Sequence, residues 1–395
     1  MSSPLHLFWI FLKLGLTSFG GPVAHIAFFR QEFVARRCWI TDAAFTELVS
    51  VCQFLPGPAS SQLGMAIGLS RAGYPGAAAA WLGFTMPSAF IMIGAALGLS
   101  VFGSLVPTGV LLGLKIVVVA VVAQAVWGMG RSICTDAVRA GIMVAAAGGV
   151  LIFAAASSQW IVILGSGLLG LWLVKPTPSL SSSVFSFPLR RRAGVVWLAV
   201  FLGLLVFLPF FAATVHLGWV TVFDVFYRAG ALVFGGGHVL LPLLQGQLVP
   251  AGWISNDVFL AGYGITQALP GPLFSFTAFL GASLMGPAAD WMTPWAGGLL
   301  ALVATFLPAF IILVGVLPFW VSVRESPRAR SALGGVNAGV LGLLLATFYD
   351  PVFVSAVAWP QDMALALLAF VALVFWRLPP WLVVILGAVI GGFWF

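Results

Sequence analysis

Charged side chains are scarce in this chain. Asp, Glu, Lys and Arg make up 7% of its 395 residues, whereas a typical soluble domain contains about a quarter. Apolar residue types account for 62%, and the mean hydropathy is +1.13. This composition excludes an ordinary soluble domain and predicts several membrane spans. We attribute the net charge of +7 to basic loops on the cytoplasmic side of the membrane, and we expect no nucleic-acid partner.

Cysteine and the usual catalytic motifs are also missing or rare. The three cysteines, Cys38, Cys52 and Cys134, show no paired spacing, so we expect no disulfide and no metal site. The sequence lacks the His-Glu-x-x-His, Gly-x-Ser-x-Gly and Cys-x-x-Cys patterns, which argues against an enzyme. It also lacks a Gly-Lys-Ser/Thr phosphate loop, which argues against a built-in ATPase. No cofactor is expected.

One short pattern, Gln-x-Leu-Pro-Gly-Pro, occurs twice, at 53–58 and 267–272. Each copy interrupts an apolar run, because proline removes a backbone donor and clashes with the preceding helical turn. The surroundings repeat as well, since Phe-Gly-Gly occurs at 19–21 and again at 234–236. Interrupted segments at corresponding places in two halves of a membrane protein indicate a transport site. Two helix kinks without a ligand are the alternative.

The apolar runs divide the chain into two similar halves. We predict a first repeat at 1–174, a cytoplasmic linker at 175–194, a single unmatched helix at 195–215 and a second repeat at 216–395. In the first half, broken runs are predicted at 4–34 and 43–71 and further spans at 76–101, 107–130, 139–156 and 159–174. In the second half, uninterrupted spans are predicted at 295–322, 332–350, 361–376 and 380–395. The predicted fold class is therefore an all-α polytopic membrane protein.

The basic residues of the loops predict the orientation of the chain, because cytoplasmic loops are enriched in Lys and Arg. These residues fall on one face only if each broken run is a re-entrant hairpin and the helix at 195–215 inverts the second half. The two repeats then have opposite topology, and their hairpins meet near the bilayer midplane. Broken runs that cross the membrane fully are the alternative, at the cost of this charge segregation.

The helix starts that follow the breaks predict an anion site. Helix N-termini carry free amides and a partial positive charge, which together favour oxyanions. We expect substrate to contact the glycines of the breaks, nearby hydroxyls and side-chain amides, and one lysine. These residues are Thr17, Ser18, Gly20, Gly21, Gln53, Gly57, Ser60, Ser61, Lys115, Gly235, Gly236, Gly237, Gln267, Gly271 and Ser275.

Five titratable residues near the breaks are candidates for coupling or gating. His25 and His238 each follow a glycine break, so each is either a buried neutral histidine bonded to a carbonyl or a proton-coupling group. Arg30 and Glu32 form either a local ion pair at the membrane surface or a gate. Glu47 lies within a predicted half-helix, where an acid is costly, and is a candidate proton carrier.

Lys115 is predicted to lie deep in its span, about 12 Å from the start of that helix. A lysine at that depth costs at least about 2.5 kcal/mol on insertion scales, so a compensating partner is expected. We expect Lys115 to face a central cavity and to supply a positive charge to a dianion. A carboxylate such as Glu47 is the expected partner of Lys115 when the site is empty, and snorkelling to the surface is the alternative.

The motif residues resemble the chromate ion transporter family. Phe19-Gly20-Gly21-Pro22-Val23-Ala24-His25-Ile26, Leu55-Pro56-Gly57-Pro58 and Pro87-Ser88 are similar to its first domain, and Phe234-Gly235-Gly236-Gly237-His238 with Leu269-Pro270-Gly271-Pro272 to its second. The resemblance covers nearly the whole chain, in the long, duplicated form. It implies export of chromate, a tetrahedral dianion like sulfate, across the bacterial cytoplasmic membrane, driven by the proton-motive force. Sulfate uptake and a passive anion channel are the alternatives, and the oligomeric state stays open, a homodimer included.

Overall fold

The computed structural model describes residues 3–105, 107–153, 158–176, 190–215, 217–286 and 292–394. These residues are mostly helical and include no strand, which confirms the all-α fold class. Most of the predicted linker, residues 177–189, lies outside the described residues.

The described residues of the first half form seven α-helices. They are α1 (Pro4–Thr17), α2 (Gly21–Arg30), α3 (Asp42–Phe54), α4 (Ala59–Phe102), α5 (Thr108–Ile133), α6 (Ala137–Ile152) and α7 (Ser158–Leu173). A π-helical turn, Gln31–Arg36, extends α2. Both predicted breaks are present, one between α1 and α2 and one between α3 and α4. A further break divides α4 at Gly73, which has φ 64°.

The second half follows α8 (Arg191–Val215), the helix with no counterpart in the first half. Its helices are α9 (Gly218–Ala231), α10 (Leu240–Leu248), α11 (Asn256–Gln267), α12 (Phe276–Ala282), α13 (Pro294–Val316), α14 (Trp320–Glu325), α15 (Pro327–Thr347), α16 (Val354–Ala356), α17 (Pro360–Val374) and α18 (Pro380–Trp394). Short 3-10 turns precede α10 and α12 at Gly237–Val239 and Leu273–Ser275. The breaks in this half therefore fall where the repeat predicts them.

Among the described residues, five helical stretches are long and apolar enough to cross a membrane. They are Ala59–Phe102, Thr108–Ile133, Arg191–Val215, Pro294–Glu325 and Pro327–Ala356. Most of α8 is exposed, and its outward side chains are large and apolar, as in Phe207 and Phe210. A surface of this kind is suited to lipid rather than water.

The chain forms two compact units, and each half of the sequence contributes to both. The first unit, the break unit, comprises residues 1–94, 178–237 and 270–325, and the second comprises residues 95–177, 238–269 and 326–395. Within the second unit, α5 packs against α17 and α18, whereas its counterpart α15 packs against α6 and α7. Each half thus supplies one helix that packs against the last two helices of the other half.

Glycine residues allow these helices from opposite halves to pack at short distances. Gly113 of α5 packs against the carbonyl of Gly387, and the equivalent Gly335 of α15 packs against the carbonyl of Ser166. A side chain at either glycine would overlap a backbone oxygen. These paired contacts relate the two halves by a repeated geometry, while their inverted orientation across the membrane stays a prediction.

The orientation can be tested with two single cysteines, in a chain whose three native cysteines are replaced by serine. Gly103 follows the long helix α4, and Ser326 follows the long helical stretch Pro294–Glu325, which contains α13 and α14; these are corresponding places in the two halves. Inverted repeats predict that Gly103→Cys and Ser326→Cys react with an impermeant maleimide from opposite sides of the membrane. Labelling of both cysteines from the same side would contradict the inversion.

Candidate anion site at the helix breaks

The glycines of the four breaks predicted from the repeat belong to the break unit, and the breaks are joined in pairs across the two halves. The N–H of Gly57 donates to the carbonyl of Val233 at 2.7 Å, and the N–H of Gly271 donates to the carbonyl of Ser18 at 3.0 Å. Ser18 and Val233 hold equivalent positions in the two halves, as do Gly57 and Gly271. The hydrogen bonds are therefore reciprocal, and each half contributes one donor and one acceptor.

Glycine is required at both Pro-Gly-Pro breaks for two reasons. Gly57 has φ 121° and Gly271 has φ 96°, conformations that side chains strongly disfavour. A Cβ at Gly57 would lie 2.6 Å from the Cβ of Ala309, and one at Gly271 would lie 2.8 Å from the Oγ of Ser88. The backbone N–H groups of these two glycines donate to carbonyls of the protein itself and are not available to an anion. The predicted anion donors must then include other groups near the breaks.

His25 lies between the two breaks of the first half and is buried. Its Nε2 lies 3.2 Å from the carbonyl oxygen of Ser18, and its Nδ1 lies 3.3 Å from the Oγ of Ser60. A carbonyl can only accept, so we assign the proton to Nε2, and the Ser60 hydroxyl then donates to Nδ1. The histidine thereby links α2 to the first turn of α4. The carbonyl of Ser18 accepts from both His25 and Gly271.

Buried hydroxyls near the breaks retain hydrogen-bonding capacity. The Oγ atoms of Ser18 and Ser61 and the Oγ1 of Thr85 are buried and have no hydrogen-bond partner among the described residues. Nearly all buried polar atoms in proteins have a partner, supplied by protein, water or ligand. Each of these three hydroxyls therefore has a donor that no described residue uses. The side chain of Gln62 instead braces the second break, donating to the carbonyls of Pro56 at 2.8 Å and Ala309 at 3.2 Å.

The remaining predicted contacts differ in burial. Thr17 is exposed, and its hydroxyl donates to the carbonyl of Lys13 at 2.8 Å, while Gln53 is exposed and Ser275 is buried. The break glycines adopt positive φ except for Gly237, which begins a 3-10 turn. The other predicted glycines of the first break in each half, Gly20, Gly21, Gly235 and Gly236, all have positive φ.

Three predicted residues belong to the second unit. Gln267 is half-buried at the end of α11, and the Nδ1 of His238 lies 2.6 Å from the hydroxyl of Tyr263. The Nζ of Lys115 lies 2.8 Å from the Oδ1 of Asp257. A part for Lys115 in substrate binding stays a prediction.

Lys115 has a carboxylate partner, as expected, but that partner is Asp257 and not Glu47. Asp257 lies in the first turn of α11, where a carboxylate also favours the helix N-terminus, and its side chain is 67% exposed. Glu47 pairs instead with Arg324, its Oε1 lying 3.0 Å from the Nη1. Both lysine and glutamate thus have partners that are distant in sequence.

Of the two alternatives for Arg30 and Glu32, the local ion pair is contradicted, and a part in gating stays a prediction. Two residues apart on a helix, their side chains do not face each other. The Nε of Arg30 donates to the Oδ1 of Asp42 at 2.7 Å, and this hydrogen bond lowers the pKa of the Asp42 carboxyl. Glu32 accepts from Arg36 at 3.0 Å and from Arg37 at 2.6 Å.

Comparison with known proteins decides the family. The sequence model described as "Chromate transporter" matches residues 5–171 and 220–392. The chain belongs to the chromate transporter family. It is 31% identical to the "Chromate transport protein" of Pseudomonas aeruginosa, over 91% of this chain and 84% of that protein. It is 28% identical to the "Probable chromate transport protein" of Synechococcus elongatus, over 96% of this chain and 93% of that protein.

Shorter relatives match less than half of this chain. The "Uncharacterized transporter YwrA" of Bacillus subtilis is 28% identical over 43% of this chain and 94% of its own length. No solved structure matches the chain. Family membership and the long apolar helices together make it a multi-pass membrane protein.

A polar cavity beside the first break was missed by sequence reasoning. It has a volume of about 540 Å³ and lies in the break unit, between α1 and the π-helical turn. Its lining residues are Ile10, Lys13, Leu14, Thr17, Phe28, Gln31, Glu32, Ala35, Arg36 and Arg37. The available signal was helical spacing, because positions 10, 13, 14 and 17 share one face of α1.

Proposed function

We propose that this chain is a secondary active transporter that exports chromate across the bacterial cytoplasmic membrane, coupled to the proton gradient. The observation that carries the proposal is the pair of reciprocal hydrogen bonds that joins the breaks of both halves beside buried hydroxyls. Relatives named as chromate transport proteins support the choice of substrate.

The chemistry of these donors suits a tetrahedral dianion. Hydroxyls and helix-start amides offer many short donors around one point, and they stabilise negative charge without a fixed cation. A hydrogen bond to a charged group contributes about 1.5–3 kcal/mol, so several of them are needed to replace the hydration of a dianion. Ser18, Ser61 and Thr85 provide such donors near the breaks. A site built from neutral donors also releases its anion readily, which transport requires.

Proton coupling would use titratable groups that touch the breaks or the helices beside them. His25 bonds to the break carbonyl of Ser18 and to Ser60 at the start of α4. A second proton on His25 would require Ser60 to accept instead of donating, which would turn that hydroxyl hydrogen away from the histidine. Glu47, paired with Arg324, is the second candidate.

The proposal predicts lower chromate content in cells that make the protein. Cells of a chromate-sensitive strain expressing the wild type should accumulate several-fold less chromium and grow at higher chromate concentrations than cells expressing Ser18→Ala/Ser61→Ala. The membrane level of both proteins is measured by immunoblot. Equal chromium content in cells with and without the wild-type protein would contradict export.

Sulfate uptake is the second candidate, because sulfate has the same charge and shape as chromate and the donors described above recognise both. Labelled sulfate uptake in sulfate-limited cells separates the two directions. Uptake that rises with expression, with no change in chromate content, would favour this candidate. Flux unaffected by a protonophore would favour a passive channel.

A further inference from the structure

The polar cavity of the break unit is lined from two sides, by α1 and by the π-helical turn. Lys13 and Thr17 line it from α1, one turn apart, and Glu32 and Arg36 line it from the π-helical turn. A π-helical turn is wider than an α-helical turn and often occurs at functional sites. Arg37, which follows this turn, completes the lining.

The lining carries three cations and one anion. The carboxylate of Glu32, of which 13% is exposed, holds Arg36 at 3.0 Å and Arg37 at 2.6 Å. Lys13 adds the third positive charge. One carboxylate thus restrains two guanidiniums, and the cavity keeps an excess of two positive charges. This excess equals the charge of one tetrahedral dianion.

The cavity also adjoins the break. Thr17 is the last residue of α1 and the immediate neighbour of Ser18, whose carbonyl accepts from Gly271 and His25. An anion held by Lys13 and the two arginines would lie at the approach to the breaks.

We propose that this cavity is an anion vestibule, in which Lys13, Arg36 and Arg37 bind the tetrahedral dianion on its way to or from the helix breaks. Guanidinium groups match tetrahedral oxyanions through paired hydrogen bonds. Glu32 competes with the dianion for both arginines, which keeps binding weak and lets the anion move on. The proposal rests on the proposed function for the identity of the anion.

Ordinary surface ion pairs give a different expectation. Such pairs contribute about 0–1 kcal/mol each, and Arg36 is 60% exposed. If the cluster were only structural, removing the carboxylate would leave the affinity for a dianion unchanged. Glu32 therefore distinguishes the two accounts.

The test measures the KM and maximal rate of chromate flux in membrane vesicles for single variants. Glu32→Gln frees both arginines and should lower KM for chromate about threefold to tenfold. Lys13→Met and Arg36→Met keep side-chain bulk and remove charge, and each should raise KM about threefold to tenfold at a nearly unchanged maximal rate. Arg131→Met removes an exposed arginine at the end of α5 and should leave KM unchanged.

Binding of chromate and sulfate to the purified proteins separates the vestibule from the proposed function. Wild-type chromate flux with unshifted KM and affinity in Glu32→Gln and Lys13→Met would overturn the vestibule and leave the proposed function intact. Shifted affinities for either dianion, without chromate flux by the wild type, would support the vestibule and overturn chromate transport. Absence of dianion binding by the wild type would overturn the vestibule.

Discussion

Replacing Gly57 or Gly271 with alanine is expected to abolish chromate transport. Each glycine has a positive φ, and each faces a neighbouring helix at a distance that leaves no room for a Cβ. A strained backbone of this kind costs about 1–3 kcal/mol, and the overpacking adds about 1–3 kcal/mol. Both substitutions also shift the amide that bonds to the break of the other half. We expect flux to fall at least tenfold.

The control is Gly94→Ala, at a helical glycine of α4 with open space around it, which should transport as the wild type does. A second variant separates crowding from backbone strain. Gly57→Ala combined with Ala309→Gly removes the 2.6 Å contact between the two Cβ atoms but keeps the strained φ, so it should recover part of the flux. Normal transport by Gly57→Ala and Gly271→Ala would show that the breaks are only kinks.

The second large effect is expected at the ion pair between Glu47 and Arg324. Glu47 is 3% exposed on α3, and Arg324 is 15% exposed on α14, so the pair joins the two halves within the break unit. Removing one member of a buried pair costs about 3–5 kcal/mol, because the other charge stays buried. Arg324 also lies 3.7 Å from the exposed carboxylate of Glu325. Arg324→Gln should therefore lower the thermal midpoint by several degrees and reduce the folded yield, and Glu47→Gln should have the same effect to a smaller extent.

The double variant Glu47→Gln/Arg324→Gln should be more stable than either single variant, because no buried charge then loses its counterion. The exposed pair of Arg30 and Asp42 provides a comparison, with side chains 61% and 56% exposed. Asp42→Asn should change the midpoint little, as for other exposed pairs. A double variant whose loss equals the sum of the two single losses would contradict coupling between Glu47 and Arg324.

The helices and their breaks could be predicted from the sequence because their causes are local. Proline and glycine act on the turn in which they occur, and the length of an apolar run bounds the helix. For this reason the predicted breaks at 53–58 and 267–272 coincide with the observed ends of α3 and α11 and precede α4 and α12. The unmatched helix at 195–215 was found in the same way, as α8.

The partners of charged residues could not be predicted, because they depend on packing between distant segments. Glu47 and Arg324 are separated by 277 positions, and Lys115 and Asp257 by 142. Helical rise gives the distance of Lys115 from the start of its helix, yet it does not show that the first turn of α11 lies alongside. The vestibule was missed for the same reason, since its two walls meet only after α1 and α2 pack.

The pairing of the breaks could be predicted only in part from the sequence. The repeated Pro-Gly-Pro pattern marks both breaks, but it does not show that each one bonds to the first break of the opposite half. That arrangement became visible only through the reciprocal hydrogen bonds of Gly57 and Gly271. These hydrogen bonds and the close packing account for glycine at positions 57 and 271, and close approach of a substrate is not needed to explain it.

The most direct test of the account is accumulation of labelled chromate by liposomes that contain the purified protein, with an acid interior and chromate outside. Proton-coupled transport predicts saturable accumulation that sulfate inhibits, that a protonophore abolishes, and that liposomes with Gly57→Ala lack. Chromate entry equal to that of protein-free liposomes, in either direction of the pH gradient, would contradict the account.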